Sequence, residues 1–326
     1  MKKFFRIIIC AMIALTLFGC SKKEGDSSTG AKVYKIGIVQ LVEHVALNAA
    51  HEGFVAALAE EGYADGENIR IDYQNAQGEL ANCQTIAQKL VNARSDLILA
   101  IATPAAQAVA NETKTIPILV TAVTDPESAR LVASNSAPGG NVTGTSDLTP
   151  VAAQMQLLKQ LVPDVKTVGL LYCSSEQNSK FQIDIAKEEA NKLGINYIEA
   201  TVSNSNEIQQ VVQNLVGKVQ AIYSPTDNMI ASGMPAVVGI TTPAKIPMIC
   251  GEEGMVNQGG LATYGINYFE LGRQTGKMAA EILSGEKKPA EMPIEYQQRY
   301  DITINMDTAQ KLGITIPAEL LAQVNE

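Results

Sequence analysis

The chain of 326 residues contains no tryptophan, few aromatic residues and only two histidines, His44 and His51. No Cys-x-x-Cys pair and no ligand-spaced cluster of histidine with cysteine or acid is present, which argues against metal ligation. No basic run occurs, and the formal net charge is −9. An acidic chain without a basic patch argues against nucleic-acid and anionic-lipid binding. There is no GxxxxGK[ST] loop, no GxGxxG after a strand and no GxSxG elbow, so phosphate-loop and hydrolase chemistry lack their usual carriers. No catalytic residue and no cofactor is expected, and the chain does not read as an enzyme. No apolar run beyond the first twenty residues is long and uninterrupted enough for a membrane span.

What is present begins at the N-terminus. Lys2, Lys3 and Arg6 precede the apolar run Ile7 to Phe18. Roughly 12 apolar residues are too few to span a bilayer but suit a secretory signal. The stretch Leu17-Phe18-Gly19-Cys20 resembles the bacterial lipobox, in which the cysteine is lipidated and becomes the first mature residue. The expected division is a signal peptide over 1–19 and a lipid-anchored flexible tether over 20–32. That tether is rich in Ser, Lys, Gly and Asp with nothing to bury. A flexible chain of that length reaches roughly 20 Å. Removing residues 1–19 takes away three positive charges and no acid, moving the formal charge from −9 to −12. Cys83, Cys173 and Cys250 remain in the body. They read as buried free thiols.

The body alternates short β-rich runs with helical patterns. "YKIGIVQ" reads as a strand. A helix follows, with Leu47, Ala50, Phe54 and Leu58 at helical spacing and Gly62 as its stop. "NIRIDYQNA", "DLILAIA" and "IPILVTAV" repeat the unit. A second series runs from "TVGLLYC" through "INYIEATV" and "AIYS" to "IPMIC". The fold class expected is α/β, with two doubly wound parallel-sheet lobes in tandem.

In open parallel sheets, ligands bind beyond the carboxyl ends of the strands, at points where strand order reverses. That rule selects Gln40 to His44, Asn75, Thr103, Pro104, Thr124 and Asp125 in the first series, with Ser146 and Asp147 where the chain would pass between units. In the second it selects Ser174, Ser175, Asn178, Ser203, Ser224 to Asn228, Glu252 and Glu253. Hydroxyls, amides and a few carboxylates suit a small polar ligand held by hydrogen bonds. Helix N-capping competes for the acids, because "TDPE" and "SPTDN" both precede helical patterns.

Several segments in order resemble one family. They include "IGIVQLVEHVALNAAHEGF", "VTAVTDPESARLV", "YCSSEQNS", "YSPTDNMIAS" and "GEEGMVNQGGLATYGINYFELGRQTG". From about Tyr34 onward the chain resembles the substrate-binding lipoproteins of ABC transporters that include tryptophan- and tyrosine-binding members. The resemblance implies a periplasmic binding protein of type I, with several crossovers between lobes and a ligand cleft between them. Lobe 1 would comprise 33–146 and part of 263–326, lobe 2 would comprise 147–262, and the tail would return to complete lobe 1. It also implies hinge closure on the ligand and delivery to an ABC permease with its ATPase, from the extracytoplasmic membrane face.

For an amino-acid ligand, the ammonium would want a carboxylate: Asp227 first, then Glu253 and Asp125. The ligand carboxylate would want hydroxyls and N–H groups at a helix N-terminus, for which Thr103, Ser146 and Ser175 are suited. Asn178 could bridge either end. His44 and Gln40 lie at the end of the first strand, and Tyr264 could wall an aromatic side chain. A receptor that signals to a membrane protein, a binder of sugars or nucleosides, and a cleft enzyme on the same scaffold are the alternatives.

Overall fold

The computed structural model describes residues 32–324. The signal, Cys20 and the tether up to residue 31 lie outside the described residues. The first sheet is built as the alternation demands: β1 (Tyr34–Gln40), α1 (Val45–Glu60), β2 (Ile69–Asn75), α2 (Leu80–Asn92), β3 (Leu97–Ile101), α3 (Thr103–Glu112), β4 (Ile118–Val123) and β5 (Val142–Ser146). β3 and β4 are buried along their whole length, as parallel strands covered on both faces must be. Leu47, Ala50, Phe54 and Leu58 all face the core from α1. The helix ends beside Gly62, whose φ of 86° a side chain would resist.

The chain then crosses over. α4 (Val151–Leu161), β6 (Thr167–Cys173), α5 (Gln177–Lys192), β7 (Asn196–Val202), α6 (Ile208–Gln213), β8 (Ala221–Ser224), α7 (Asn228–Ser232), α8 (Met234–Thr241), β9 (Met248–Cys250), α9 (Glu253–Asn257) and β10 (Ala262–Gly265) build the second lobe. α10 (Tyr268–Leu283) and β11 (Glu295–Tyr296) return to the first lobe. β12 (Asp301–Ile304), α11 (Met306–Leu312) and α12 (Ala318–Val324) go back to the second. The sheet orders are β11-β5-β4-β3-β1-β2 and β12-β10-β9-β8-β6-β7. Every pairing is parallel except β10 with β12.

The last strand corrects one expectation. The tail does not complete lobe 1: Ile302 and Ile304 of β12, with Ala309, Ile316 and Leu320, are buried in the second lobe's core. Lobe 1 is completed earlier, by α10 and β11. A strand-then-helix pattern specifies elements but not which sheet receives them.

α10 seats on α1 at very short range. A Cβ on Gly53 would lie 2.0 Å from the Phe269 carbonyl oxygen, and one on Gly272 2.0 Å from that of Ala50. Only glycine permits this approach. Cys83, Cys173 and Cys250 are buried free thiols. Among the described residues, no helix is long and apolar enough to cross a membrane.

Candidate ligand-binding cleft

Strand order reverses at β1 beside β3 in the first sheet, and at β6 beside β8 in the second. Loops leaving those strands therefore diverge and open a crevice at each carboxyl edge. The two crevices face each other. Between them lies a cavity with about 260 Å³ of atom-free space, but only about 10 Å³ of it admits the centre of a water molecule. The walls are tightly closed.

Lobe 1 lines the cavity with His44, Leu47 and Ala122, and the crossing segments add Asp147 and Tyr268. Lobe 2 supplies Asn178, Thr226, Asp227, Asn228, Ala231 and Glu252. Hydrogen bonds join the lobes around it. His44 Nε2 lies 3.3 Å from Asn228 Oδ1, Thr124 Oγ1 lies 3.3 Å from Thr226 Oγ1, and Gln107 Nε2 donates to Gln177 Oε1 at 3.0 Å. Gln177 also donates to the Ser128 carbonyl.

The first lobe's edge is strained. Ala122 has φ 53° within the irregular β4–β5 pairing, and Ala102, just before α3, has φ 83°. Such conformations cost on the order of 1–3 kcal/mol each and cluster where a ligand must be clamped. Across the cleft, a Cβ on Gly251 would sit 2.1 Å from the Thr226 amide nitrogen. Its absence lets Glu252 come alongside the loop after β8.

The cavity is acidic. Asp147 accepts from the Thr124 hydroxyl at 3.0 Å and the Tyr268 hydroxyl at 2.7 Å. Asp227 accepts from Ile230 N–H (2.8 Å), Cys173 N–H (2.6 Å) and the Ser179 hydroxyl (2.7 Å). Glu252 caps α9 through the Met255 and Gly254 N–H groups. Behind the wall, Glu176 accepts from Met229 N–H (2.9 Å) and from both Asn178 and Asn228. Burial raises all four carboxyls above their ordinary range, taking Glu252 and Glu176 to about 7. The charge of Asp227 adds to the rise at Glu176. Burial lowers His44 to about 4, so it stays neutral. No lysine or arginine lines the cavity. Among the described residues, no cluster is arranged to hold a metal ion.

Residues 35–326 match the family described as ABC transporter substrate binding protein. The chain belongs to that family. This substrate-binding protein is 44% identical over 321 residues to the "Tyrosine-binding protein" of Clostridioides difficile (strain R20291), covering 96% of this chain and 93% of that one. A crystal structure of an ABC domain in complex with L-Trp, from Streptococcus pneumonia, is 43% identical with a TM-score of 0.87, over 90% of this chain and 98% of that one. A ligand-free, open substrate-binding protein with adhesive properties, from Clostridium difficile, is 49% identical, yet its TM-score is 0.67, over 88% of this chain and 97% of that one. The inversion of identity and TM-score is what a hinge between lobes produces. The substrate-binding protein described here has its lobes closed, in the arrangement nearer the L-Trp complex. Its family binds solutes and is not one of enzymes.

Of the residues selected from sequence, His44, Asp147, Asn178, Thr226, Asp227, Asn228 and Glu252 line the cavity of this substrate-binding protein. Gln40 and Thr103 are buried at the ends of β1 and β3, where Gln40 Oε1 and Thr103 Oγ1 have no hydrogen-bond partner. Ser146 donates to the Thr124 carbonyl, and Asp125 holds the turn at Ser128; neither lines the cavity. Ser175 contacts Cys173 Sγ and faces an outer part of the cleft. Glu253 points outward; Glu252 is the one that faces in. Tyr264 bonds Gln323 and packs in the second core. Leu47 was legible only as a core residue of its helix. Tyr268 carried no signal, because nothing local distinguishes the first residue of α10.

Proposed function

We propose that this substrate-binding protein takes up an aromatic amino acid between its lobes and delivers it to an ABC permease from the extracytoplasmic face, held to the membrane by lipid on Cys20. The observation that carries the reading is a closed cavity bounded by buried carboxyls with no basic side chain among its lining residues. Such a site is short of one positive charge, which an α-ammonium supplies. Leu47, Ala122, Ala231 and Tyr268 give the apolar boundary that a flat side chain needs. For the ligand carboxylate, the candidate donor is the buried, unpartnered Thr103 hydroxyl at the start of α3. The tyrosine named for one relative and the L-Trp of another support the ligand class.

The test is thermal melting of residues 33–326 after unfolding and refolding to strip carried-over ligand. L-Trp, L-Tyr and L-Phe are compared with sugars and nucleosides. A ligand at about a hundred times its dissociation constant adds roughly 2.7 kcal/mol of stability. A shift with sugars or nucleosides and none with amino acids would overturn the ligand assignment. For the anchor, Cys20→Ala should release the full chain from the membrane fraction; retention there would refute the lipid.

A further inference from the structure

A buried ammonium needs an acceptor with an uncommitted lone pair, and Asp227 offers little. Its carboxylate already receives three donors from its own lobe. Asn178 is different. It lines the cavity, and its Oδ1 is buried without a partner. Its Nδ2 donates to Glu176 Oε2 at 3.1 Å and to the Thr226 carbonyl at 3.1 Å. A carbonyl and a carboxylate only accept, so the amide nitrogen must face them and the oxygen must turn away.

Glu176 does the same for Asn228. It accepts from Asn228 Nδ2 at 2.5 Å and from its N–H at 3.2 Å, leaving Oδ1 to face His44. One carboxyl group thus orients two asparagines and places an acid directly behind them.

We propose that Asn178 Oδ1 receives the ligand's ammonium, and that Glu176 is the positioning residue that fixes that oxygen toward the cavity and supplies negative charge behind it. This assignment rests on the amino-acid reading above and adds the group that enforces it. The site then selects for an α-amino group through a neutral carbonyl backed by charge, while Asp227 serves the fold.

The experiment compares L-tryptophan with indolepropionate, the same molecule without its amino group. Their affinities are measured by calorimetry on the wild type, Asn178→Ala, Glu176→Gln and Asp147→Asn. Loss of a hydrogen bond to a charged partner weakens binding roughly ten- to hundred-fold. Asn178→Ala and Glu176→Gln should show that loss for L-tryptophan while leaving indolepropionate nearly unchanged. Parallel weakening of both ligands would mark Asn178 and Glu176 as structural and overturn the assignment. So would Asp147→Asn alone removing the discrimination. Ligand-free melting reports folding, and should Glu176→Gln fail to fold, Asn178→Ala decides alone. A wild type that binds none of L-Trp, L-Tyr or L-Phe would instead remove the aromatic reading itself.

Discussion

The two lobes share an architecture and divide the work of the cleft unequally. The second lobe brings Asp227, Glu252 and, behind them, Glu176, and almost every acid oxygen there already accepts from a backbone N–H or a side chain of the same lobe. On the first lobe's side the cavity has a single acid, Asp147, held by Thr124 and Tyr268. That lobe also holds the unpartnered Gln40 Oε1, His44 Nδ1 and Thr103 Oγ1, and the strained Ala102 and Ala122. Charge has been gathered on the lobe whose helix ends can satisfy it. Strain has been left on the other, while each lobe keeps unpartnered groups, Asn178 Oδ1 and Ser224 Oγ being those of the second. On the reading proposed above, an amino acid would lie with its ammonium toward lobe 2 and its carboxylate toward lobe 1.

The strongest way to break that contrast is Asp227→Ala. Three buried donors lose their acceptor, so ligand-free stability should fall by roughly 4 kcal/mol, and Asp227→Asn should recover much of it. Unchanged ligand-free melting together with a lost ligand response would show that Asp227 serves the ligand and not the lobe.

Next in size is the pH dependence of the second lobe. Burial raises Glu252 to about 7 in the folded state, against an ordinary value of 4.5. Between those values the folded state holds the extra proton, so its contribution is full below about pH 4.5 and is lost as pH rises through 7. The loss relative to Glu252→Gln should reach about 3 kcal/mol by pH 8, read from denaturant melts across the range. His44, in the first lobe, runs the other way. Its folded value of about 4 lies below 6.5, so its contribution grows as pH rises from 4 to 6.5. A flat difference between wild type and Glu252→Gln would refute the buried acid.

Gly272→Val tests the first lobe's seam. The new side chain meets the Ala50 backbone, and overpacking of this kind costs about 2 kcal/mol. Unaltered melting would mean that α1 and α10 part easily. The smallest effect belongs to the rim. Gln177→Ala removes bonds from α5 to Gln107 and Ser128. It should weaken ligand binding about five-fold, equal to about 1 kcal/mol, with unchanged ligand-free stability. A fall in stability instead would place Gln177 in the fold of its own lobe.

Much of this was readable beforehand. β-rich runs such as "LILAI" and the helical spacing of Leu47, Ala50, Phe54 and Leu58 report burial directly, so elements and sheet class followed. Strand-end logic reached His44, Asp147, Asn178 and Thr226 to Asn228 because position in a parallel sheet fixes where loops open. It could not choose between Glu252 and Glu253, which differ by one residue of helix start. Nor could it find Glu176, whose role comes from two asparagines, Asn178 beside it in sequence and Asn228 from another loop. The lobe assignment of the tail was hidden for the same reason: β12 meets β10 only in space.

The closed cavity has an optical consequence. The chain has ten tyrosines and no tryptophan, and Tyr268 lines the cavity wall. An indole enclosed there would be the sole long-wavelength emitter in the protein, shielded from water and close to a tyrosine able to pass excitation to it. Light absorbed by tyrosine and emitted by indole would then appear only when the lobes shut on their cargo, so the molecule carries its own unlabelled reporter of closure.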